Sequence, residues 1–257
     1  MEIKDFFEEG TVLLEKDGFW SREIAPDPDF EAAYLAVREK ENRLQSDEMV
    51  RQLPLVSESH VHASEWRMRA ASTERVLSTL HPNTDAVILD IGCGNGWFTH
   101  HLFQKTGARV IGLDVNGMEL AQAARVFQGE QLTFLMADLF DEKWRSGRFD
   151  IVFLNSSVQY FPDFAQLLER LNFLLKEGGE IHILDSPLYK GQEIAAAKKR
   201  TEKYYGDLGF PEMAKYYYHH ARTEVDFYYP EWKYWPKPKR WWSRGPEQNP
   251  FPWAVLR

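Results

Sequence analysis

The chain holds one cysteine, Cys93, in 257 residues, so no disulfide can form within it. Long apolar runs are missing as well: none approaches the ~18 residues that a membrane-spanning helix needs. Basic charge is in deficit, with 31 Lys and Arg against 39 Asp and Glu and a formal net charge of −8. A field of that sign repels polyanions and disfavours nucleic acid as the main partner. There is no internal repeat and no low-complexity linker. The opening Met1-Glu2-Ile3-Lys4-Asp5 has neither the basic nor the apolar region of a secretory signal. These absences predict a cytoplasmic globular protein with no membrane span. They leave its oligomeric state open.

What is present suits one sizeable α/β domain with elaborations. Residues 1–60 read as an accessory, lid-like segment. Asp27-Pro28 is a good helix start, because Asp offers an acceptor to free N–H groups and Pro at the first helical position loses no bond. Phe30, Tyr34, Val37 and Leu44 then recur among charges, which predicts an amphipathic helix over 30–44. A second helix is expected over 64–80, ended by His81-Pro82-Asn83.

From residue 86 short apolar runs alternate with helical stretches. Strands are predicted at 86–90, 109–114, 132–137, 149–155 and 180–185. Runs such as Val87-Ile88-Leu89 and Ile151-Val152-Phe153-Leu154 suit parallel strands covered on both faces. The clearest crossover helix follows Asp163 and should stop at Gly178-Gly179. Phe227-Tyr228-Tyr229 and Trp253-Ala254-Val255-Leu256 read as two more strands, the last closing the sheet. The expected fold is a doubly wound, mostly parallel, seven-stranded Rossmann-like sheet with helices on both faces, its last strand antiparallel, under an N-terminal helical lid. The main domain would span 61–257, with a core at 84–188 and a substrate-side insert plus C-terminal strands at 189–257.

The chemistry points to Asp90-Ile91-Gly92-Cys93-Gly94-Asn95-Gly96-Trp97, which follows the first core strand. In such sheets the ligand crevice lies beyond the carboxyl ends of the strands, and glycines let a turn tighten and a ligand approach. The glycines fall at 92, 94 and 96, a poor fit to the G-x-G-x-x-G of dinucleotide sites, and Trp97 stands where the third packing glycine belongs. Asp90 would repel a pyrophosphate. It would favour the ammonium and sulfonium of S-adenosyl-L-methionine (SAM). Asp114, closing the second core strand, offers acceptors for ribose hydroxyls. The alternative for Asp90 is a cap on N–H groups of its own turn, and for Asp138 the start of a helix. Cys93 reads as a small residue beneath the ligand, since no base stands near it.

Four segments in order strengthen the cofactor reading. Asp90-x-Gly92-x-Gly94-x-Gly96 resembles motif I of the class I SAM-dependent methyltransferases, and Ile111-Gly112-Leu113-Asp114 resembles their second-strand acidic motif. Ala137-Asp138-Leu139 is similar to the family's motif after strand 3. Leu174-Leu175-Lys176-Glu177-Gly178-Gly179 resembles its L-K-P-G-G turn, with Glu177 replacing Pro. The likeness covers roughly residues 60–190. It implies that Gly92, Cys93 and Gly94 line the methionine portion beside Asp90, that Gly96 belongs to the same cofactor-binding turn, that Asp114 holds the ribose and that Val115 packs on adenine. Asp138 and Leu139 would read the adenine edge, and Asn155 would face the methionine. The product would be S-adenosyl-L-homocysteine.

The acceptor is less legible. Methyl transfer needs positioning and water exclusion more than a dedicated base. Ser156-Ser157 replaces the paired prolines of the Asn/Asp-Pro-Pro-Tyr/Phe motif typical of amino-group methylation, so DNA is disfavoured. A small molecule is expected, with Tyr160 shaping its pocket. His60, His62 and His219 are the other catalytic candidates, and Trp66, Arg67 and Arg69 could contribute to the lid. A magnesium site would have only Asp185 with Asn155 opposite, and a zinc reading of His60/His62 or His219/His220 lacks Cys partners; no metal is expected. The segment 233–244 holds five Lys/Arg, no acid and four aromatics, Tyr234, Trp235, Trp241 and Trp242. Such a mix can bind RNA or lie at a membrane surface, or simply pack its rings on the core. RNA or protein methylation and a non-catalytic SAM-binding regulator are therefore the alternative functions.

Overall fold

A computed structural model describes residues 2–22, 28–236 and 249–257. The N-terminal segment, expected as an accessory piece outside the sheet, adds a hairpin to it. Strands β1 (Leu13–Lys16) and β2 (Phe19–Arg22) pair antiparallel across Asp17-Gly18. Both turn residues have positive φ, 50° and 83°, which is the geometry that Asp-Gly favours in two-residue hairpins. β2 turns Phe19 and Ser21 inward. Helices α1 (Pro28–Lys40) and α2 (Asp47–Gln52) follow. α1 begins at the expected proline; Asp27 lies outside the described residues. The next helix, α3 (Ala63–Thr79), runs close to its expected bounds.

The core then alternates as expected: β3 (Val87–Ile91), α4 (Trp97–Thr106), β4 (Arg109–Asp114), α5 (Gly117–Val126), β5 (Leu132–Met136), β6 (Phe149–Asn155), α6 (Phe164–Leu174) and β7 (Leu175–Leu184). All five residues of β3 are buried, as befits a strand between parallel neighbours with both faces covered. Asp163 starts α6 by accepting from the Gln166 N–H at 3.0 Å. That helix stops at Leu174, before the glycine pair. β7 begins at once and carries Gly178-Gly179 inside it, at a register irregularity opposite Phe149–Ile151.

The tail comprises α7 (Ile194–Leu208), a 3-10 segment over Pro211–Tyr216, α8 (Arg222–Asp226), β8 (Glu231–Tyr234) and β9 (Trp253–Leu256). Phe227-Tyr228-Tyr229 is not a strand. Tyr229 has φ 52° and is 94% exposed, and the strand starts only beyond Pro230, whose ring nitrogen cannot donate to a ladder. Among the described residues the sheet has nine strands in the order β1-β2-β5-β4-β3-β6-β7-β9-β8, two more than expected. β9 does run antiparallel, but it lies between β7 and β8, so the sheet ends on β8.

Apolar clusters cover both faces. One joins Phe6, Trp144 and Phe149 to the buried side of α6; the other joins Trp97, Phe98 and Leu102 of α4 to Phe153. A third, smaller cluster of Val37, Tyr205 and Met213 ties α1 to α7 and the 3-10 segment. It holds these elements over the carboxyl ends of the strands, where one cavity of about 1320 Å³ opens.

Candidate active site

The turn after β3 folds back on the end of β4. The N–H groups of Gly92 and Cys93 both donate to the Leu113 carbonyl, at 2.8 and 3.1 Å, and the Gly94 N–H donates to Asp114 Oδ2 at 2.8 Å. Glycine is required at 92 because φ is 72° and a Cβ would stand 2.6 Å from that of Ser157. Ser157 is held there by its own bond to the Ile91 carbonyl, at 2.7 Å. Gly96 (φ 76°) closes on the Phe134 ring and Ala123. It supplies the close packing that Trp97 could not, and Trp97 instead lies edge-on to Trp66.

Asp90 is 1% exposed and accepts from Thr99 Oγ1 at 2.6 Å. Its bond comes from α4, so it does not simply cap its own turn. Burial pushes its carboxyl up to about 7, with Asp114 nearby adding to the effect. Asp114 is raised by burial, against the N–H groups of Asn116, Gly94 and Val115 and the charge of Arg38. Glu119, on α5, is also pushed up to about 7, by burial and then by Asp114. Glu119 was not foreseen. Nor were Tyr34 and Arg38, which α1 brings to it: Arg38 donates to the Tyr34 oxygen at 2.8 Å, and the Tyr34 hydroxyl lies 3.4 Å from Glu119 Oε2. The same burial and carboxylates push the Cys93 thiol up. That keeps it a neutral thiol, inert as a nucleophile.

The remaining residues of the cofactor reading reach the cavity, whereas Gly96, packed on Phe134, is not part of its lining. Val115, 45% exposed, lines it with Asp138, Leu139 and Asn155. Asp138 starts no helix; its Oδ1 accepts the Phe140 N–H at 2.9 Å in a turn. Further along, Arg43 makes a two-pronged bond to Glu65, which also takes Arg69 Nε at 3.0 Å. Burial opposes ionisation of Glu65, yet the two arginines prevail and draw it down to about 2.

The catalytic candidates separate. Tyr160 and His62 line the cavity, whereas His60 and His219 do not. His62 Nε2 sits 2.7 Å from the Glu41 carbonyl, so Nε2 carries the proton and Nδ1 is the ring's acceptor. His60 Nδ1 accepts the His62 N–H at 3.1 Å, and His219 Nε2 pairs with Thr201 Oγ1 at 2.9 Å. Trp66 and Arg69 reach the cavity, while Arg67 is exposed outside it. The wall beyond Tyr160 is aromatic: Phe30, Tyr189, Tyr205, Tyr217 and Tyr218. Among the described residues no three His, Cys, Asp or Glu side chains cluster to hold a metal. Nor is any described helix long and apolar enough to cross a membrane. Of the basic aromatic segment only 233–236 is described. There Tyr234 donates to the Asn249 carbonyl at 2.9 Å and Trp235 packs on Trp232, so both rings serve packing. Residues 237–244, including Lys237, Lys239, Arg240, Trp241 and Trp242, lie outside the described residues.

A doubly wound sheet with a tight glycine turn and an acidic residue at the end of the adjacent strand defines the class of nucleoside-binding α/β folds. Residues 89–183 match the family described as "Methyltransferase domain", and the chain carries a class I, SAM-dependent methyltransferase domain. It is 33% identical over 116 residues to trans-aconitate 2-methyltransferase of Deinococcus radiodurans, a match covering 45% of this chain and 43% of that protein. It is 30% identical over 101 residues to the chloroplastic tocopherol O-methyltransferase of Arabidopsis thaliana, covering 38% of this chain and 29% of the relative. The match thus spans less than half the length of either. Among solved structures, a geranyl diphosphate methyltransferase in complex with SAM shares the fold at TM-score 0.55 and 13% identity, over 78% of this chain and 91% of that one. Geranyl diphosphate C-methyltransferase of Streptomyces coelicolor A3(2) does so at TM-score 0.54 and 15% identity, over 79% of each chain.

Proposed function

We propose that this protein binds SAM at the glycine turn and transfers its methyl group to a small organic acceptor held against the tyrosine wall. The observation that carries the reading is electrostatic. Asp90, Asp114 and Glu119 crowd one end of the cavity, and Arg38 is the cation set against the last two. Carboxylates raised by burial in this way are relieved by a cationic ligand. The donor set therefore fits SAM and would not fit a pyrophosphate. The volume agrees: about 1320 Å³ exceeds the ~300–1000 Å³ of an ordinary single-ligand cleft, leaving room for cofactor and acceptor together.

Bound there, SAM supplies a methyl carbon already activated by its sulfonium. The chain's task is then to orient and to exclude water. Gly92 and Gly94 keep the turn open for close approach, Asp90 and Asp114 favour positive charge, and Val115 with Leu139 presents apolar surface. Tyr160 and the tyrosines beyond it shape the acceptor compartment. Burial raises the hydroxyls of Tyr205 and Tyr217, so they stay neutral and can donate hydrogen bonds to an acceptor. His62, whose Nε2 is committed to the Glu41 carbonyl, lines the same cavity and could take a proton at Nδ1. Trans-aconitate, tocopherol and geranyl diphosphate, named for the relatives, are likewise small molecules, which supports the same substrate range here. We further propose that 1–60 acts as an accessory segment to a domain over 61–257 and that the protein works in the cytoplasm.

The direct test is incubation of cell extract with methyl-labelled SAM, followed by mass analysis of what gains label. Label in a low-molecular-mass compound is the expected result. Label only in RNA or protein would overturn the acceptor class, and cofactor binding without transfer to any component would point to a regulatory protein.

A further inference from the structure

Asp114 is the residue that sequence reasoning assigns to the ribose, yet most of its hydrogen-bonding capacity is already committed. A carboxylate oxygen accepts about two hydrogen bonds. Asp114 Oδ1 takes the N–H groups of Val115 at 2.8 Å and Asn116 at 2.9 Å, so it is full. Oδ2 takes the Gly94 N–H at 2.8 Å, which leaves room for one more donor. A ribose carries two adjacent hydroxyls, each of which needs an acceptor when it is taken from water.

Glu119 provides that acceptor. Asn116, the cap of α5, accepts the Met118 and Glu119 N–H groups and orients the first turn. The Glu119 carboxylate then comes to rest over Gly94, 3.5 and 3.6 Å from where a Cβ at that position would be. Among the described residues its one side-chain hydrogen bond is the long one from Tyr34, at 3.4 Å to Oε2. Glu119 and Asp114 both line the cavity and both remain partly accessible from it. Arg38 is near enough to favour ionisation of each. We propose that Glu119 is a second ribose-binding residue, Asp114 accepting one hydroxyl and Glu119 the other. This rests on the SAM reading above and deepens it, making the acidic pair a reader of an intact diol.

Calorimetric titration separates the two claims. The probes are S-adenosylhomocysteine and its 2′-deoxy and 3′-deoxy analogues, against the native chain, Glu119→Ala and Glu119→Gln. Glu119→Ala should weaken S-adenosylhomocysteine at least ~10-fold, as expected for a lost bond to a charged acceptor. The loss should vanish with one deoxy analogue and persist with the other. Glu119→Gln keeps an acceptor oxygen and the shape of the side chain; its loss should be smaller, about 3- to 10-fold, with the same dependence on one hydroxyl. This variant decides the matter if Glu119→Ala does not fold. Equal losses for all three ligands, or none, would overturn the role of Glu119 while leaving the SAM reading intact. Failure of the native chain to bind S-adenosylhomocysteine would overturn both.

Discussion

At the scale of single residues, the site turns on carboxylates whose neighbours decide what they can do. Asp114 organises the turn through three backbone N–H groups and keeps one lone pair for a ligand. Asp114→Ala should therefore cost SAM binding ~1.5–3 kcal/mol, the range for a charged hydrogen bond; unchanged affinity in a folded variant would remove it from the site. Gly92→Ala forces a side chain into positive φ and against Ser157. A loss of about 1–3 kcal/mol in urea denaturation is expected, and adding Ser157→Gly should recover only part of it, because the backbone strain remains. The glycine turn and Asp114 were legible because they are close together in sequence with a distinctive spacing. Glu119, Tyr34 and Arg38 were not, since α1 lies some eighty residues from α5 in the chain and only the closed fold brings Tyr34 to Glu119.

At the scale of elements, the parallel core was legible because continuous apolar runs bounded by helix caps have few other solutions. The hairpin of β1 and β2 was missed although Asp17-Gly18 announced it. Its first strand, Leu13-Leu14-Glu15-Lys16, lacks the apolar/polar alternation of a half-buried strand and leaves Leu14 57% exposed. The aromatic cluster at 227–229 misled in the opposite way: hydrophobicity suggested a strand where Phe227 and Tyr229 face outward. Elements also divide the labour within the cavity. Tyr160 lies beyond the end of β6 and meets Tyr34 and Tyr217 edge-on, each at 6.3 Å. Tyr160→Ala should raise the acceptor KM several-fold or more and leave the calorimetric Kd for S-adenosylhomocysteine within about twofold. A matching loss in cofactor affinity would place Tyr160 at the cofactor end instead.

At the scale of the whole molecule, pH should act through the buried carboxylates. Asp90 and Glu119 titrate near 7 in the folded chain, well above an ordinary carboxyl. Below that pH they carry protons and are neutral; as pH rises through it they ionise, and the site gains negative charge. An unligated fold holding these protons while its unfolded chain has released them loses stability as pH rises from about 4 to 7. A bound cation offsets that loss. The Tm increase produced by saturating SAM should therefore be larger at pH 7.5 than at pH 5.5, a window that stays below the ~7.7–8.0 of the ligand's own amine. His100, His182 and His219 are lowered by burial and lie outside the cavity wall, so they contribute alike with and without ligand and drop out of the difference. A shift independent of pH would mean that Asp90 and Glu119 do not face the ligand's charge.

The central claim is that the acidic end of this cavity is a SAM site, and calorimetry on the native chain tests it most directly. Saturable binding of both SAM and S-adenosylhomocysteine, with one ligand per chain, is the result expected. No heat of binding from either at millimolar ligand would contradict the account.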